Sequence, residues 1–138
     1  MKPFYVDLHL HSPHSIAVSP SLNLDTMVET CKVKGLDIIG TGDILQPDWL
    51  KYMEHNLKKD KNGAYKYKDT YFILQTEIED EETTHQVVFF PDFETVRVAQ
   101  SKLKPYSKNI LDEWGGRPRV NLPPPELVDF ITDLGGLI

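Results

Sequence analysis

Cysteine is nearly absent from this sequence, and its single occurrence, Cys31, excludes an internal disulfide framework and a cysteine-based zinc finger. Long apolar runs are also missing. None approaches the roughly 18 residues that a membrane span needs, and the amino terminus has no apolar signal core. Basic residues number 15 against 21 acidic ones, and the formal net charge of -6 argues against polyanion binding by the whole surface. These absences predict a cytoplasmic protein that makes no contact with a membrane.

The composition that remains is that of an ordinary globular protein. The 138 residues are 40% hydrophobic and 26% charged. A chain of this length buries roughly two thirds of its unfolded surface on folding, so we expect one domain with its own core. Cys31 falls on the apolar face of a predicted helix, and we expect it in that core rather than in a reactive site.

The hydrophobic pattern alternates between strand and helix periods along the chain. Apolar and polar residues alternate over 3–10, which is typical of a strand. Asn23 or Asp25 can cap a helix that Gly35 ends, and Pro47 can begin another. The predicted elements are strands over 3–10, 36–40, 70–78 and 86–90 and helices over 24–34, 47–57, 93–103 and 123–134. Their order favours a layered α/β fold with mostly parallel strands.

Two segments in the second half of the sequence stand apart from these elements. Residues 105–125 are rich in proline and form the one candidate linker. Residues 134–138 read as a helix stop followed by the opening of an apolar strand, and a domain seldom stops inside a strand. We therefore expect a fragment of a longer protein, with an incomplete sheet edge that leads either to self-association through that edge or to poor stability.

Two histidines near the end of the first predicted strand have a spacing that suits metal binding. In an extended strand His9 and His11 point to the same face, so two imidazole rings can converge on one ion. Asp7 and Ser12 flank them, and we expect these side chains to fix the orientation of the rings. The alternative is a pair of surface histidines on a half-buried strand.

Three more candidate ligands lie at predicted strand ends. Asp43 follows the second strand, Glu77 ends the third and His85 opens the fourth. Taken alone, each has an ordinary explanation as a turn aspartate, an exposed glutamate or a structural histidine. However, the carboxyl ends of strands are where α/β folds place ligands. Because four consecutive strand ends present His, Asp or Glu, we predict that these side chains form one metal site.

These motifs resemble those of a known family. The run DLHLHS at residues 7–12 is similar to the first motif of the polymerase and histidinol phosphatase (PHP) superfamily of metal-dependent phosphoesterases, and GLDII at residues 35–39 leads into its second motif. The resemblance covers residues 4–138. It implies that residues 1–138 are the N-terminal portion of a single PHP domain, a partial, distorted (β/α)7 barrel truncated after the fourth or fifth strand.

The resemblance also implies roles for individual residues. His9, His11, Glu77, His85 and Asp43 would bind metal, with Glu77 bridging two ions and His85 on the second of them. Glu77 and Asp43 are the implied catalytic residues. Imidazole and carboxylate ligands suit divalent ions, zinc first and then manganese, iron or magnesium, with two or three ions in an intact site. Such ions lower the pKa of bound water for attack on phosphorus.

Two positions depart from the PHP pattern. Ile16 stands where an acidic residue or histidine usually continues the first motif, and Ile44 replaces the histidine of the second motif. A complete three-ion cluster would therefore need Asp43 or His14 as a substitute ligand. The later motifs of the superfamily, a histidine and a terminal Asp-x-His pair, have no counterpart before residue 138. We therefore expect an incomplete metal shell in this fragment, which alone would be inactive.

Within the superfamily, residues 34–36, 40–45 and 84–87 are most similar to the endonuclease Q branch, whose members nick DNA on the 5′ side of deaminated bases and abasic sites. The leading hypothesis is therefore a metal-dependent DNA repair endonuclease. Two alternatives stay open. One is a PHP phosphatase acting on a small phosphorylated metabolite, which the acidic net charge favours. The other is a metal-binding module that has lost catalysis, which Ile16 and Ile44 favour.

A basic segment with interleaved tyrosines is the candidate contact with DNA, since lysines bind phosphates and tyrosines stack on exposed bases. The residues expected to contact DNA are Lys58, Lys59, Lys61, Lys66, Lys68, Tyr65 and Tyr67. The alternative is a solvated helix end and hairpin-like loop. Arg117 and Arg119 are weaker candidates for phosphate binding, and the acidic run over 79–82 is expected to be a solvated turn.

Overall fold

Six strands and four α-helices make up the chain, and a computed structural model describes all of residues 1–138. The strands are β1 (Val6–Asp7), β2 (Ile38–Gly40), β3 (Lys58–Lys59), β4 (Tyr65–Tyr67), β5 (Thr70–Glu79) and β6 (His85–Phe90). The helices are α1 (Leu24–Lys34), α2 (Pro47–Asn56), α3 (Phe93–Leu103) and α4 (Pro124–Asp133), and a 3-10 turn over Lys104–Tyr106 follows α3. No helix has the length and apolar character needed to cross a membrane.

The strands form one open sheet rather than a closed barrel. Their order is β1-β2-β5-β4-β3, and β6 pairs with β5. Strands β1, β2 and β5 are parallel, whereas the β3–β4, β4–β5 and β5–β6 pairs are antiparallel. The prediction of mostly parallel strands is therefore wrong for three of the five strand pairs, because short turns join these later strands and a parallel pairing requires a long crossover connection.

Strand β5 connects the two halves of the sheet because its partners change along its length. Its first residues, up to Ile73, pair with β2 and β4, whereas Leu74–Glu79 pair with β6. The β-branched and aromatic residues of β5 suit this central, largely buried position. Since Gly40 at the end of β2 pairs with Ile73, Glu77 lies beyond the carboxyl end of β2.

The first strand is shorter than predicted, and it pairs with β2 only at Val6 and Asp7. Beyond it, the backbone donors bond to side chains instead of to a neighbouring strand. The N–H of His9 donates to Oδ1 of Asp7 at 3.2 Å, and the N–H of Leu10 donates to Oε1 of Gln75 at 3.0 Å. His9 and the residues after it therefore form a loop, and the prediction that strand alternation aligns the two histidines is wrong.

A single cluster of 26 buried hydrophobic residues forms the core, and all four helices contribute to it. Cys31 is buried in this cluster, as predicted. Residues 105–125 contribute Ile110, Val120 and Leu122 to the same core. The prediction of a linker is therefore wrong: this segment is packed, but its scattered apolar residues show neither a helix nor a strand period.

The last residues return to the sheet. Leu137 and Phe89 exchange backbone hydrogen bonds of 2.9 and 3.0 Å in an antiparallel bridge. This bridge confirms the apolar strand opening predicted over 134–138.

Helix α1 begins and ends where its sequence predicts. Oδ1 of Asn23 accepts a hydrogen bond from the N–H of Thr26 at 3.0 Å, and the Thr26 hydroxyl accepts one from the N–H of Asn23 at 3.0 Å. This reciprocal capping satisfies two backbone donors that a helix start leaves unpaired. Gly35 follows the helix in the left-handed conformation, at φ 72°, which glycine adopts without steric cost.

Replacing the cap tests this account of α1. Asn23→Ala is expected to lower the free energy of unfolding by about 1 kcal/mol, because the N–H of Thr26 loses its partner. Asn62→Ala, in an exposed turn where the side chain makes no hydrogen bond, should change stability by less than about 0.5 kcal/mol. Urea denaturation followed by circular dichroism measures both values, and equal stability of the two variants would contradict the capping assignment.

Candidate metal centre

The candidate ligands lie at and beyond the carboxyl ends of the three parallel strands. His9 and His11 lie in the loop after β1, Asp43 follows β2, Glu77 lies near the end of β5 and His85 begins β6. Direct side-chain contacts link all five. The structure therefore brings together the residues that the sequence analysis singled out as metal ligands.

Glu77 is the centre of this group. Its Oε2 lies 2.9 Å from Nε2 of both His9 and His11, and its Oε1 lies 2.8 Å from Nδ1 of His85. The Glu77 side chain is 4% exposed, whereas that of His9 is 54% exposed. The two carboxylate oxygens thus face different imidazole rings, which is the arrangement required of a carboxylate that bridges two ions.

Three of these residues satisfy the geometry of a cation site. His9, His11 and Glu77 each offer one ligand atom, and these atoms all lie within 4.8 Å of one another. The ring centroids of the two histidines are 5.4 Å apart. Two imidazole nitrogens with one carboxylate oxygen are a ligand set found in catalytic zinc sites. The residues present therefore fit one divalent transition-metal ion.

Asp43 is buried behind His11 and orients it. Its Oδ1 accepts a hydrogen bond from Nδ1 of His11 at 3.1 Å. Its Oδ2 accepts hydrogen bonds from the N–H and hydroxyl of Ser12, at 2.6 and 2.7 Å, and from the hydroxyl of Ser15 at 2.8 Å. A histidine ligand often donates its other ring N–H to a carboxylate in this way. This contact keeps Nε2 of His11 directed at Glu77.

These contacts also shift the protonation equilibria of the site. Burial alone would raise the pKa of Asp43, but the hydrogen bonds that it accepts outweigh burial and hold the pKa below its ordinary value. Burial of Glu77 is likewise outweighed, by the hydrogen bond from His9 and the charges of the histidines around it, so its pKa is lowered. The hydrogen bond to Asp43 raises the pKa of His11. Both carboxylates are therefore ionised at neutral pH, the form that binds metal.

Asp7 and Ser12, which we predicted to fix the orientation of the rings, contact other groups. Ser12 donates to Asp43 and so acts on His11 through that carboxylate. The Oδ1 atom of Asp7 accepts the backbone N–H of His9 rather than a ring N–H. Both residues therefore shape the loop that carries the histidines.

Gln75, a buried residue of β5, is a feature of the site that the sequence analysis missed. Its Oε1 accepts the N–H of Leu10 at 3.0 Å and the N–H of Gly42 at 3.1 Å, which joins the histidine loop to the loop of Asp43. A Cβ at Gly40 would lie 2.5 Å from the same oxygen. The one signal for this contact in the sequence is the presence of Gly40 and Gly42 beside Asp43. A glycine in a strand often marks a place where another group lies close to the backbone.

Removing this link should weaken metal binding. Gln75→Met leaves the N–H groups of Leu10 and Gly42 without their acceptor, and we expect the affinity for Co²⁺ to fall by about 10–100-fold. Thr76→Val is the matched control, because Thr76 is equally buried in β5 and its hydroxyl has no partner. Titration followed by the visible absorption of Co²⁺ measures both, and an unchanged affinity in Gln75→Met would contradict the positioning role.

A set of charged side chains surrounds His85. Its Nε2 lies 3.3 Å from Oε2 of Glu79, and the Arg117 guanidinium lies 3.4 Å from its Nδ1 and 3.6 Å from Glu79. Arg119 lies 3.6 Å from the other oxygen of Glu79. The prediction of a solvated turn is wrong for Glu79, which ends β5 and is only 15% exposed, because the two arginines and His85 cover it. It is also wrong for Asp80, which is buried and accepts hydrogen bonds within its own turn and from Gln86. A cavity of about 160 Å³ lies between Arg117 and His11.

The two isoleucines that depart from the PHP pattern bind nothing in this site. Ile44 is fully buried in the core, and Ile16 is 91% exposed. His14 is engaged elsewhere: its Nδ1 donates to the carbonyl of Glu113 at 2.8 Å, and its ring meets Trp49 edge-on. His14 is therefore not part of the group that His9, His11 and Glu77 form.

The predicted DNA-contacting residues lie far from this centre, on the β3–β4 hairpin and the turn after it. Tyr71, which pairs with Lys66, is six residues before Glu77 along β5, a distance of about 20 Å at roughly 3.3 Å per residue. Tyr65 is buried and packs edge-on against Phe93, so it is not available to stack on a base. The hairpin lysines stay a prediction as DNA contacts.

The end of this hairpin is also tied to helix α1. Nζ of Lys68 lies 2.7 Å from Oδ1 of Asp25, and the Tyr67 hydroxyl donates to the same oxygen at 2.9 Å. These two residues therefore have a structural partner within the chain.

Comparison with known sequences relates the chain to two longer proteins. Uncharacterized protein MJ0043 of Methanocaldococcus jannaschii is 41% identical over 133 residues, which cover 96% of this chain and 15% of that protein. Uncharacterized protein YqxK of Bacillus subtilis is 28% identical, over 80% of this chain and 33% of that protein. No protein-family model matches the chain. The chain thus spans a minor part of both relatives.

Two solved structures share the fold at 38% sequence identity. The lesion-specific endonuclease PfuEndoQ from Pyrococcus furiosus matches with a TM-score of 0.88, over 96% of this chain and 32% of that one. Endonuclease Q in complex with a 27-mer duplex substrate that carries an abasic lesion at the active site matches with a TM-score of 0.87, over 96% of this chain and 33% of that one. The predicted resemblance to endonuclease Q is confirmed at the level of the fold.

Proposed function

We propose that this chain belongs to a metal-dependent phosphoesterase, and within that class to a DNA repair endonuclease that hydrolyses phosphodiester bonds on the 5′ side of deaminated bases or abasic sites. The observation that carries the proposal is the convergence of His9, His11 and His85 on the carboxylate of Glu77. The similarity of the fold to two endonuclease Q structures supports DNA as the substrate.

The proposal extends to the domain. We take residues 1–138 as the N-terminal portion of a single PHP domain, so that the open sheet is part of a distorted (β/α)7 barrel. The support is that 96% of this chain matches about a third of each endonuclease Q chain. The remaining strands and metal ligands would then lie outside these residues. An activity on DNA agrees with the cytoplasmic location that the sequence predicts.

The imidazole and carboxylate groups of this site fit divalent metal ions as the cofactor, and we propose zinc ahead of manganese, iron or magnesium. His9, His11 and Glu77 would hold one ion, and Glu77 with His85 would contribute to a second. Such ions, when bound, supply an activated water and neutralise charge on the phosphate. Both oxygens of Asp43 already accept hydrogen bonds, so we assign to Asp43 the positioning of His11 ahead of direct ligation.

The chain itself supplies a place for the phosphoryl group. Arg117 and Arg119 line the cavity of about 160 Å³ that also contains His11. Guanidinium groups form paired, charge-assisted hydrogen bonds with phosphate oxygens. Because Arg117 also touches His85, its side chain lies at the boundary between the metal centre and this cavity. Its role would be to bind and orient the phosphate.

The test of the proposed function uses the complete gene product that contains this chain. It is loaded with Zn²⁺ or Mn²⁺ and incubated with duplexes carrying an abasic site, hypoxanthine or uracil and with the undamaged duplex. The expected result is a single incision on the 5′ side of the lesion that EDTA abolishes. A small phosphomonoester, p-nitrophenyl phosphate, is assayed in parallel.

Each alternative has its own outcome in this experiment. Hydrolysis of the monoester without incision of any duplex would favour the phosphatase. Metal binding without either activity would favour the module that has lost catalysis. Either result would overturn the endonuclease proposal.

A further inference from the structure

A wide cleft lies beside the metal centre, next to Glu79 at the end of β5. It has a volume of about 820 Å³. One wall is the turn between β5 and β6, from Glu79 to Thr83, and the other is the segment over 104–109. Asn109 and Arg119 line both this cleft and the cavity that contains His11, so the two spaces are neighbours.

The three acidic and three basic residues that line the cleft are separated, with the acidic ones on the turn after β5 and two lysines on the opposite wall. Glu79 is paired with two arginines and His85, and Asp80 accepts hydrogen bonds from its own turn and from Gln86. Only Glu81 among these acids lacks a cation or donor for its carboxylate. On the opposite wall Lys104 and Lys108 are exposed, and neither has a carboxylate within 4 Å.

The basic wall is held in place by its neighbours. Oδ1 of Asn109 accepts hydrogen bonds from the N–H of Arg119 at 2.8 Å and from the Ser107 hydroxyl at 3.2 Å, and its Nδ2 donates to the carbonyl of Arg117 at 3.2 Å. The carbonyl of Tyr106 accepts the N–H of Asn121 at 2.8 Å. Tyr106 itself is 44% exposed and its hydroxyl makes no hydrogen bond within the chain. Its ring therefore lies at the rim with a free face.

We propose that this cleft binds the nucleic acid strand that flanks the phosphodiester at the metal centre, with Lys104 and Lys108 contacting its phosphates and Tyr106 stacking on a base. The inference rests on the proposed function and extends it to a surface. The cavity beside His11 has room for a single phosphate group, whereas the adjoining cleft of about 820 Å³ has room for a polymer that continues beyond that phosphate. Unpaired lysines beside an exposed aromatic side chain are typical of surfaces that bind a single strand.

The salt dependence of DNA binding tests this surface. The complete gene product, kept in EDTA to prevent incision, is titrated against a fluorescein-labelled abasic duplex between 50 and 200 mM NaCl. Losing two phosphate contacts in Lys104→Ala/Lys108→Ala should reduce the slope of log K against log salt by about 2 and weaken binding roughly tenfold. Lys51→Ala/Lys102→Ala is the matched control, because these exposed lysines line neither space, and its slope should equal that of the parent.

Two tyrosine variants test the stacking contact separately. Tyr106→Ala should weaken binding roughly tenfold, since stacking on a base needs the ring. Tyr106→Phe keeps the ring and should bind as the parent does.

The outcomes separate this proposal from the one on which it rests. If the parent incises lesion DNA but Lys104→Ala/Lys108→Ala keeps the parent slope, the proposal that the cleft binds DNA is overturned and the endonuclease proposal is unaffected. A slope that falls only in Lys58→Ala/Lys59→Ala would likewise overturn the cleft and would place the contact on the β3–β4 hairpin. If the parent binds no DNA under any condition, both proposals fail together.

Discussion

Glu77→Gln is expected to reduce the metal affinity of the chain by about 100-fold or more and to bring incision by the complete gene product down by roughly 10²–10³-fold or more. The reason is that the Glu77 carboxylate contacts all three imidazoles of the site, while the amide keeps the shape of the side chain and removes its charge. Isothermal titration with Zn²⁺ and a gel-based incision assay give the two values.

The control for this substitution is Glu82→Gln, an exposed glutamate of the turn that follows β5. It makes the same change of charge close by and should leave both metal affinity and incision as in the parent. Circular dichroism of Glu77→Gln should match that of the parent, since no apolar contact is lost. A Glu77→Gln protein that retains the parent affinity would remove Glu77 from the centre of the site.

Asp43→Asn is expected to cost roughly 2–4 kcal/mol in free energy of unfolding. Oδ2 of Asp43 accepts three hydrogen bonds in a fully buried position, and an amide nitrogen placed there would face donors instead of accepting from them. If the amide were rotated by 180°, its nitrogen would instead face Nδ1 of His11, which is also a donor. Asp112→Asn, on an exposed loop where the carboxylate makes no hydrogen bond, should change stability by less than about 0.5 kcal/mol.

The pH dependence of this cost follows from the protonation of Asp43. Its pKa in the folded chain lies below the ordinary value of 3.8, so the ionised form stabilises the fold at any pH above that value. This contribution is lost as the pH falls through the lowered pKa. Urea denaturation should therefore show the full difference between parent and Asp43→Asn at pH 7, and a smaller difference below pH 4. A difference that grows on acidification would mean that the hydrogen bonds do not favour the carboxylate.

Much of the fold could be predicted because local signals and the final structure agree. Asn23, Gly35 and Pro47 mark helix boundaries in the sequence, and the same residues cap or begin those helices in the structure. The sequence offers only a hairpin-like loop for the β3–β4 segment, and its strands could not be predicted, since they have two and three residues and β4 is held by pairing with β5. Such pairing depends on contacts distant in sequence, which no local pattern reports.

The ligands of the site were predicted for a reason that is only partly right. Strand ends do bring His9, His11, Glu77 and His85 together, but the two neighbouring histidines converge from a loop and not from the alternation of a strand. The contacts that hold this loop come from Gln75 and from Asp43, 65 and 32 residues away from their partners in the chain. A contact of that range has no signature in the spacing of the motif itself.

Self-association through the sheet edge also stays a prediction. Size-exclusion chromatography with light scattering of the 138-residue chain measures it, and a monomer at all concentrations would contradict it.

Metal analysis measures directly whether His9, His11 and Glu77 bind a divalent metal. The purified chain and its His9→Ala/His11→Ala variant are dialysed against Zn²⁺, then against metal-free buffer, and analysed by inductively coupled plasma mass spectrometry. We expect close to one zinc per chain or more in the parent and a large loss in the variant, with circular dichroism showing that both proteins are folded. A metal-free parent, or a variant with the same zinc content as the parent, would contradict this expectation.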